Sequence, residues 1–403
     1  MQRVSIWLVA IGAGLTLSIV FSAGTAAAKK NKRAATFGLQ KTIAIPGGLT
    51  SFDITFVDDP TQTVFVADQT NRAIDIIDGK RDTLLTQFIP QSPTAGGFAG
   101  VVNPSNFDLN GPDGVLEARY LHQLWVGDAD SRVWVIDIKD RRSPKVLDVI
   151  STALPTNPAD RTRADELAYD QADQIILIAN PGDTPPYVTL ISAKSHKILA
   201  QLTFPTATNG LEQSVFDPRS HLFYLAVPEA NGPNTGEVVA IDPKTLSVVS
   251  TPVASTGDCE QSGMALFNAR QRLLLGCSRP SGTLVLDLKT KTLTNVPQTG
   301  GSDEVWFDPH DKIYYLADVT FGFNGTAGTP ALGVIDARNN AFIENIFDGS
   351  TNPFTTVLHS VAADGANGHV YVPLAANSLP FDNNPSKGLD CSLGCVGVFF
   401  GDL

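Results

Sequence analysis

Short apolar segments recur along this chain at intervals of about 40 to 60 residues, a spacing typical of propellers and solenoids. They are rich in β-branched, aliphatic and aromatic residues, which strands favour. Such a recurrence predicts a repeat protein in which each unit is one small sheet. The segments are Val64–Asp68, Leu124–Asp128, Ile176–Asn180, Phe223–Val227, Leu273–Cys277, Tyr314–Asp318 and Val370–Leu374.

Each segment has neighbours in a constant order. A strand that ends in an acidic or amide turn precedes it, as in Val215–Pro218, and a third strand follows, as in Val238–Asp242. After a polar turn comes a fourth strand, as in Ile198–Leu202. Four short strands joined by turns form one antiparallel blade, and a ring of blades buries the faces that a single blade would expose. The chain is therefore expected to be all-β, a seven-bladed β-propeller of four-stranded antiparallel blades.

Closure of the ring is predicted from the two ends of the repeat region. The last unit ends with Val396–Phe400 and is one strand short, whereas the strand Thr42–Pro46 precedes the first complete unit. We expect this N-terminal strand to pair with the stretch around Val398 and to complete the last blade, so that the propeller covers residues 42–403.

Repeated aspartates follow the third strands. They resemble a catalytic set, but an Asp side chain also accepts backbone N–H bonds and initiates turns. We therefore interpret them as turn residues; they are Asp78, Asp137, Asp242, Asp287 and Asp336.

The N-terminus has the organisation of a secretory signal peptide. Arg3 precedes the apolar run Ile6–Ala23, and the small residues Ala26 and Ala28 follow. We predict a signal peptide over residues 1–28, a flexible basic tail over residues 29–41, and a periplasmic or secreted protein with no stable membrane insertion after cleavage. An uncleaved membrane anchor is the alternative, since the apolar run is nearly long enough to span a bilayer.

Charge and cysteine content narrow the function classes. The chain has 29 Lys and Arg against 41 Asp and Glu, a net charge of −12, which argues against a nucleic-acid partner.

An even number of cysteines in an exported chain favours disulfides. We expect Cys259 to pair with Cys277 and Cys391 with Cys395, with metal ligation as the alternative. Neither a haem-attachment motif nor a nucleotide-binding loop occurs in the sequence.

The repeat resembles that of a known group. Its second strand ends in Ala followed by Asp or Asn, as in Ile176–Asn180, and its third strand has the pattern Val-x-Val-Ile-Asp, as in Val133–Asp137. Both patterns are similar to the repeats of the YVTN/YncE-like seven-bladed β-propellers of exported bacterial proteins. The resemblance extends over residues 42–402. It implies the fold and export, but little about chemistry, since propellers carry many activities.

A candidate site follows from the residues just before each first strand, because first strands line the channel of a propeller. Carboxylates there could hold a divalent metal, calcium rather than a transition metal, and the predicted ligands are Asp165, Glu166, Glu212, Asp303 and Glu304. His359 is a tentative catalytic base. The alternative is a structural ring that caps strand ends and binds channel water. The full set is Asp53, Asn106, Asp165, Glu166, Glu212, Gln213, Glu260, Gln261, Asp303, Glu304 and His359.

Two functions are compatible with these features. No distinctive catalytic constellation is present, which favours a non-catalytic binding or scaffold protein that uses a propeller face for a small molecule or protein. The long loops at Pro181–Pro186, Pro228–Pro233, Phe321–Phe323 and Pro380–Phe381 could contact such a partner. Alternatively, Asp165–Ala168, Glu212–Val215 and Asp303–Trp306 resemble the strand entrances of gluconolactonase- and paraoxonase-type propellers. That resemblance implies a calcium-dependent lactonase-like hydrolase or lyase.

Overall fold

A computed structural model of the chain describes residues 37–249, 251–279, 282–318, 330–346, 358–376 and 389–403. These residues form seven antiparallel sheets, so the predicted all-β, seven-bladed propeller is confirmed. The expected signal peptide, residues 29–36 of the expected tail, and the loops Phe321–Phe323 and Pro380–Phe381 lie outside the described residues.

The first three blades follow one another along the chain. Blade 1 contains β2 (Thr55–Asp58), β3 (Thr63–Asp68), β4 (Ala73–Asp78) and β5 (Thr83–Phe88). Blade 2 contains β6 (Val115–Ala118), β7 (Gln123–Asp128), β8 (Arg132–Asp137) and β9 (Lys145–Ser151). Blade 3 contains β10 (Leu167–Asp170), β11 (Ile175–Asn180), β12 (Tyr187–Ser192) and β13 (Ile198–Thr203). Short 3₁₀ helices cover Phe107–Leu109 and Arg119–Leu121.

The next three blades repeat this order. Blade 4 contains β14 (Ser214–Asp217), β15 (Leu222–Val227), β16 (Gly236–Asp242) and an outer edge shared by β17 (Ser247–Val248) and β18 (Ala254–Gly257). Blade 5 contains β19 (Glu260–Phe267), β20 (Arg272–Arg279), β21 (Gly282–Asp287) and β22 (Leu293–Asn295). Blade 6 contains β23 (Ser302–Asp308), β24 (Ile313–Asp318), β25 (Ala331–Asp336) and β26 (Ala341–Ile346).

Blade 7 joins the two ends of the repeat region. It contains β27 (Ala362–Asp364), β28 (His369–Leu374), β29 (Cys395–Phe400) and, at its outer edge, β1 (Gly38–Ala44). Strand β1 runs antiparallel to β29, with Ile43 opposite Val396 and Lys41 opposite Val398. The predicted closure is thereby confirmed, although the strand begins at Gly38 rather than Thr42.

The ring also closes at its centre. First strands of consecutive blades contact one another, and β27 contacts β2. The second strands β3, β7 and β11 are buried along their whole length, because neighbouring blades cover both of their faces. The outer strand β13 is far more exposed. The hydrophobic core therefore lies between the blades, and the first strands are left to line the axis.

The turn aspartates behave as expected. Each accepts a hydrogen bond from the backbone N–H two residues later: Asp78 from Lys80, Asp137 from Lys139, Asp242 from Lys244, Asp287 from Lys289 and Asp336 from Arg338. Their interpretation as turn residues is confirmed.

Both expected cysteine pairs are disulfide-bonded. Cys259–Cys277 joins the residue before β19 to β20, and Cys391–Cys395 closes a short loop before β29. Disulfides are typical of oxidising compartments outside the cytosol. Within the described ranges, no helix has the length and hydrophobicity needed to cross a membrane.

Candidate functional site

One position recurs in all seven blades at the entrance to the first strand. The inner hairpins have the same register: Thr55 lies opposite Val66, Leu167 opposite Ile178, and Val305 opposite Leu316. Each inner hairpin ends on an equivalent pair at its turn, such as Asp58 opposite Thr63 and Asp364 opposite His369, and the residue five positions before the first-strand member of that pair occupies an equivalent place around the axis. In blade order it is Asp53, Asp113, Asp165, Glu212, Ser262, Asp303 and His359.

The backbone holds these entrance residues at one height. The N–H of Asp53 donates to the carbonyl of Ala67 at 3.0 Å, and that of Asp165 donates to Ala179 at 2.8 Å. The same bond joins Glu212 to Ala226 at 3.1 Å. Each bond extends the inner hairpin by one step, so the acidic side chains leave the sheets at the same level.

Two entrance residues differ from the prediction. Asn106 is exposed and caps the 3₁₀ helix Phe107–Leu109, so Asp113 occupies the equivalent position in blade 2. Gln261 is fully buried and donates to the carbonyls of Val227 at 3.0 Å and Glu237 at 2.7 Å, so Ser262 takes the position in blade 5. Loop length before a first strand varies between blades, and only strand register identifies the equivalent residue.

His359 joins three blades at this entrance. Its Nε2 lies 2.7 Å from Asp53 Oδ1, and its Nδ1 lies 2.7 Å from Asp303 Oδ2. Burial by itself would lower the pKa of His359, but the two carboxylates raise it well above its ordinary value. The ring is therefore an imidazolium with both nitrogens engaged.

Arg163 is the second cation and was not recognised in the sequence. Its guanidinium contacts Asp53 Oδ2 at 3.3 Å, Asp165 Oδ2 at 3.0 Å and Asp108 Oδ1 at 3.5 Å. Burial would raise the pKa of Asp53, yet His359 and Arg163 hold it below its ordinary value. The available signal was a basic residue two positions before Asp165, in the loop that enters β10.

A second layer lies one residue further into the channel. Glu166, Gln213 and Glu304 follow three of the entrance residues, and the amide of Gln213 donates to Glu304 Oε2 at 2.7 Å. Glu166 and Glu304 lie close enough for each to affect the pKa of the other. Burial, reinforced by Glu304, raises the pKa of Glu166 well above its ordinary value. Burial likewise raises the pKa of Glu304 well above its ordinary value, so both glutamates favour the protonated form.

Three further carboxyl groups, those of Asp113, Asp165 and Glu212, have raised pKa values. Asp113 is fully buried, and its Oδ1 accepts from Gln69 at 2.9 Å. Burial and the nearby Asp53 raise the pKa of Asp113 well above its ordinary value. Burial raises the pKa of Asp165 to about 7, although Arg163 opposes the shift. Burial and Asp303 raise the pKa of Glu212.

We call the seven carboxyl residues together the acid ring: Asp53, Asp113, Asp165, Glu166, Glu212, Asp303 and Glu304. All five predicted metal ligands belong to it, and His359 lies among them. Among the described residues, no group of three or more His, Cys, Asp or Glu side chains is arranged to hold a metal ion. Arg163 and His359 lie between carboxylates that a metal would have to bridge. Metal binding and a catalytic role for His359 stay predictions.

Two cavities occupy successive levels of the axis. The outer one, the mouth pocket, has a volume of about 620 Å³ and is lined by Phe52, Asp53, Phe107, Arg163, Asp303 and His359, among others. The inner cavity has a volume of about 460 Å³, and its lining runs along the first strands from Thr55, Glu166 and Gln213 to the exposed turn residues Pro218 and Asn268. The two cavities therefore lie towards opposite ends of the first strands.

Comparison with known proteins does not assign the chain to a family. No protein-family model matches the chain, and no curated protein matches it. Membership of the YVTN/YncE-like group therefore stays a prediction, and the function is argued from the site alone.

Proposed function

We propose that this propeller is a non-catalytic binding protein and that it holds a positively charged ligand in the mouth pocket. The observation that supports this most directly is the imbalance of charge at the axis. Seven carboxyl groups converge there, against the two cations Arg163 and His359. A ligand that brings positive charge would correct the imbalance.

Raised pKa values accompany this imbalance of charge. The pKa values of Asp113, Glu212 and Glu304 lie well above their ordinary values, mainly because of burial. Like charges held close together in a poorly solvated site cannot all ionise. A cationic ligand would stabilise the ionised carboxylates, so its binding should release protons.

The mouth pocket has the size and lining of a small-molecule site. Its volume of about 620 Å³ lies within the usual range for such pockets. Phe52 and Phe107 add aromatic surface, and Phe107 is 63% exposed. An ammonium or guanidinium group is attracted both to carboxylates and to the face of an aromatic ring.

Neither His359 nor Ser51, the histidine and serine that line the described part of the mouth pocket, belongs to a nucleophile–base pair, which favours binding over catalysis. Both nitrogens of His359 already contact carboxylates at 2.7 Å. Ser51 also lines the mouth pocket, but its hydroxyl donates to Gln69 Oε1 at 2.6 Å instead of to a histidine. A nucleophile needs an adjacent free base to be activated.

Calorimetric titration with spermidine tests the proposal. We expect saturable binding, weakened at least tenfold by Asp303→Asn, because this change removes one carboxylate of the mouth pocket. The matched control is Asp173→Asn, which removes an exposed carboxylate in the β10–β11 turn. The proposal is wrong if spermidine gives no saturable heat, or if both variants weaken binding equally.

A calcium-dependent hydrolase or lyase is the second candidate, because the five predicted ligands do converge at the axis. For this function, CaCl₂ should raise the melting temperature, a chelator should reverse the shift, and a simple γ-lactone should be hydrolysed. Under the favoured proposal, the lactone is not turned over.

Export is part of the same proposal, supported by the two disulfides. N-terminal sequencing of the protein from its native host should give a chain beginning at Lys29. A chain that keeps Ile6–Ala23 would instead indicate a membrane anchor.

A further inference from the structure

The inner cavity differs from the mouth pocket in its lining. Its walls are largely apolar, and many of its larger side chains are only partly buried. The volume of about 460 Å³ is within the range of small-molecule sites. The main apolar contributors are Phe56, Leu116, Tyr169, Phe216, Trp306 and Phe307.

Three side-chain hydroxyls in the lining of the inner cavity have no hydrogen-bond partner among the described residues, those of Tyr169, Thr55 and Ser214, and the last two belong to residues that are nearly fully buried. Thr55 and Ser214 are the first residues of β2 and β14, and they are 1% and 4% exposed. Neither Thr55 Oγ1 nor Ser214 Oγ makes a hydrogen bond, and both residues line the cavity. Buried polar atoms are nearly always paired, so the orphaned hydroxyls along this cavity indicate that a ligand or its bound water completes them.

The same end of the cavity carries carboxyl groups without a cation. Glu166 lines the cavity and is 4% exposed, and it interacts electrostatically with Glu304, which is 5% exposed. Within the described residues, no lysine, arginine or histidine side chain forms an ion pair or hydrogen bond with the carboxyl group of either glutamate; Gln213 supplies the amide donor to Glu304. A buried carboxylate is stabilised when a positive charge faces it.

Glu117 provides an internal comparison. It also lines the inner cavity, but Arg141 donates to its two carboxylate oxygens at 2.8 and 2.9 Å. Among the described residues, the fold therefore supplies a cation to the Glu117 carboxylate and none to that of Glu166.

We propose that the inner cavity is a second binding site, separate from the mouth pocket, for a small hydrophobic primary amine. The hydrocarbon body packs against the aromatic and aliphatic walls. The ammonium group faces Glu166 and Glu304 and offsets their negative charge. The hydroxyls of Thr55 and Ser214 supply further hydrogen-bond acceptors around the polar end of the ligand.

The test compares two probes of equal shape, cyclohexylmethylamine and cyclohexylmethanol, by calorimetry on the mature chain. We expect the amine to bind at least tenfold more tightly than the alcohol. Glu166→Gln should weaken amine binding at least tenfold and change alcohol binding less than twofold, because it removes the charge and keeps the shape. Glu304→Gln should reproduce the loss, and the far-ultraviolet circular dichroism of each variant reports whether it is folded.

Two control variants locate the site. Glu117→Gln makes the same chemical change in the same cavity at a glutamate that already has a cation, and should weaken amine binding less than threefold. Phe107→Ala alters only the mouth pocket and should leave amine affinity within twofold. Trp306 lines the cavity, so the amine should change tryptophan fluorescence, and Trp306→Phe should abolish that change.

Three results would overturn the second site: no saturable binding of the amine, equal affinity for amine and alcohol, or a loss caused by Phe107→Ala but not by Glu166→Gln. The last result would place the amine in the mouth pocket. None of these results tests the mouth-pocket proposal. That proposal is tested by spermidine titration of the wild-type protein and of the Asp303→Asn variant.

Discussion

The acid ring and the turn aspartates present the same carboxyl group on the same repeating fold, but their partners differ. Asp242 accepts from the N–H of Lys244, two residues away, at 2.8 Å. Asp53 contacts His359, which lies 306 positions away in the sequence, at 2.7 Å. A turn aspartate is completed within its own turn, so its role is local and structural. The carboxyl groups of the ring depend on other blades, and too few cations reach them.

Removal of His359 should have the largest effect on stability. His359→Ala leaves Asp53 and Asp303 without the imidazolium between them, and breaking a buried ion pair from one side costs about 3 kcal/mol at the lower end of observed values. Partial exposure of His359, 29% of its side chain, favours that lower end. Urea unfolding measures the change. A loss of unfolding free energy no greater than that of a turn aspartate variant would show that the ion pairs of the acid ring contribute no more to stability than a turn.

The dependence of folding stability on pH should also distinguish the acid ring from the turn aspartates. For Asp165, burial raises the folded-state pKa from 3.8 to about 7, so its contribution to stability is complete below about pH 4 and is lost as pH rises towards 7. Glu166 and Glu212 have the same sign and extend the loss to higher pH. Asp53 has the opposite sign, since its lowered pKa contributes stability that is lost only in acid.

Stability should therefore fall between pH 5 and 8, by about 1.4 kcal/mol per pH unit for each extra proton that the folded state binds. Thermal melting across this range measures the slope. Glu166→Gln should flatten it, whereas Asp242→Asn should leave it unchanged. A wild-type melting temperature that rises steadily from pH 5 to 8 would contradict this prediction, because the folded state would then bind fewer protons than the unfolded state.

The smallest effect is expected at the turns. Asp242→Ala removes one exposed side-chain acceptor and should lower the free energy of unfolding by less than about 1 kcal/mol, because water replaces the bond. Spermidine affinity should not change. A loss of binding in this variant would mean that the turn region takes part in the site.

Much of the fold could be predicted because it depends on local pattern and counting. Short apolar strands at a regular interval specify blades, since only packing against neighbouring blades buries their faces. The spare strand at one end and the missing strand at the other specify closure. Both cysteine pairs followed from their places around one hairpin and one short loop, and the turn aspartates from the chemistry of Asp.

The tertiary structure alone decided which side chains meet at the axis. Loops of unequal length precede the first strands, so Asp113 takes the place expected for Asn106, and Ser262 the place next to Gln261. Arg163 became part of the site only when blades 1 and 3 brought Asp53 and Asp165 to its guanidinium. Strand pattern is a short-range property of the chain, whereas the charge balance of a channel is a sum over residues from every blade. The sequence by itself therefore determined the ring, and the packing of the ring determined its chemistry.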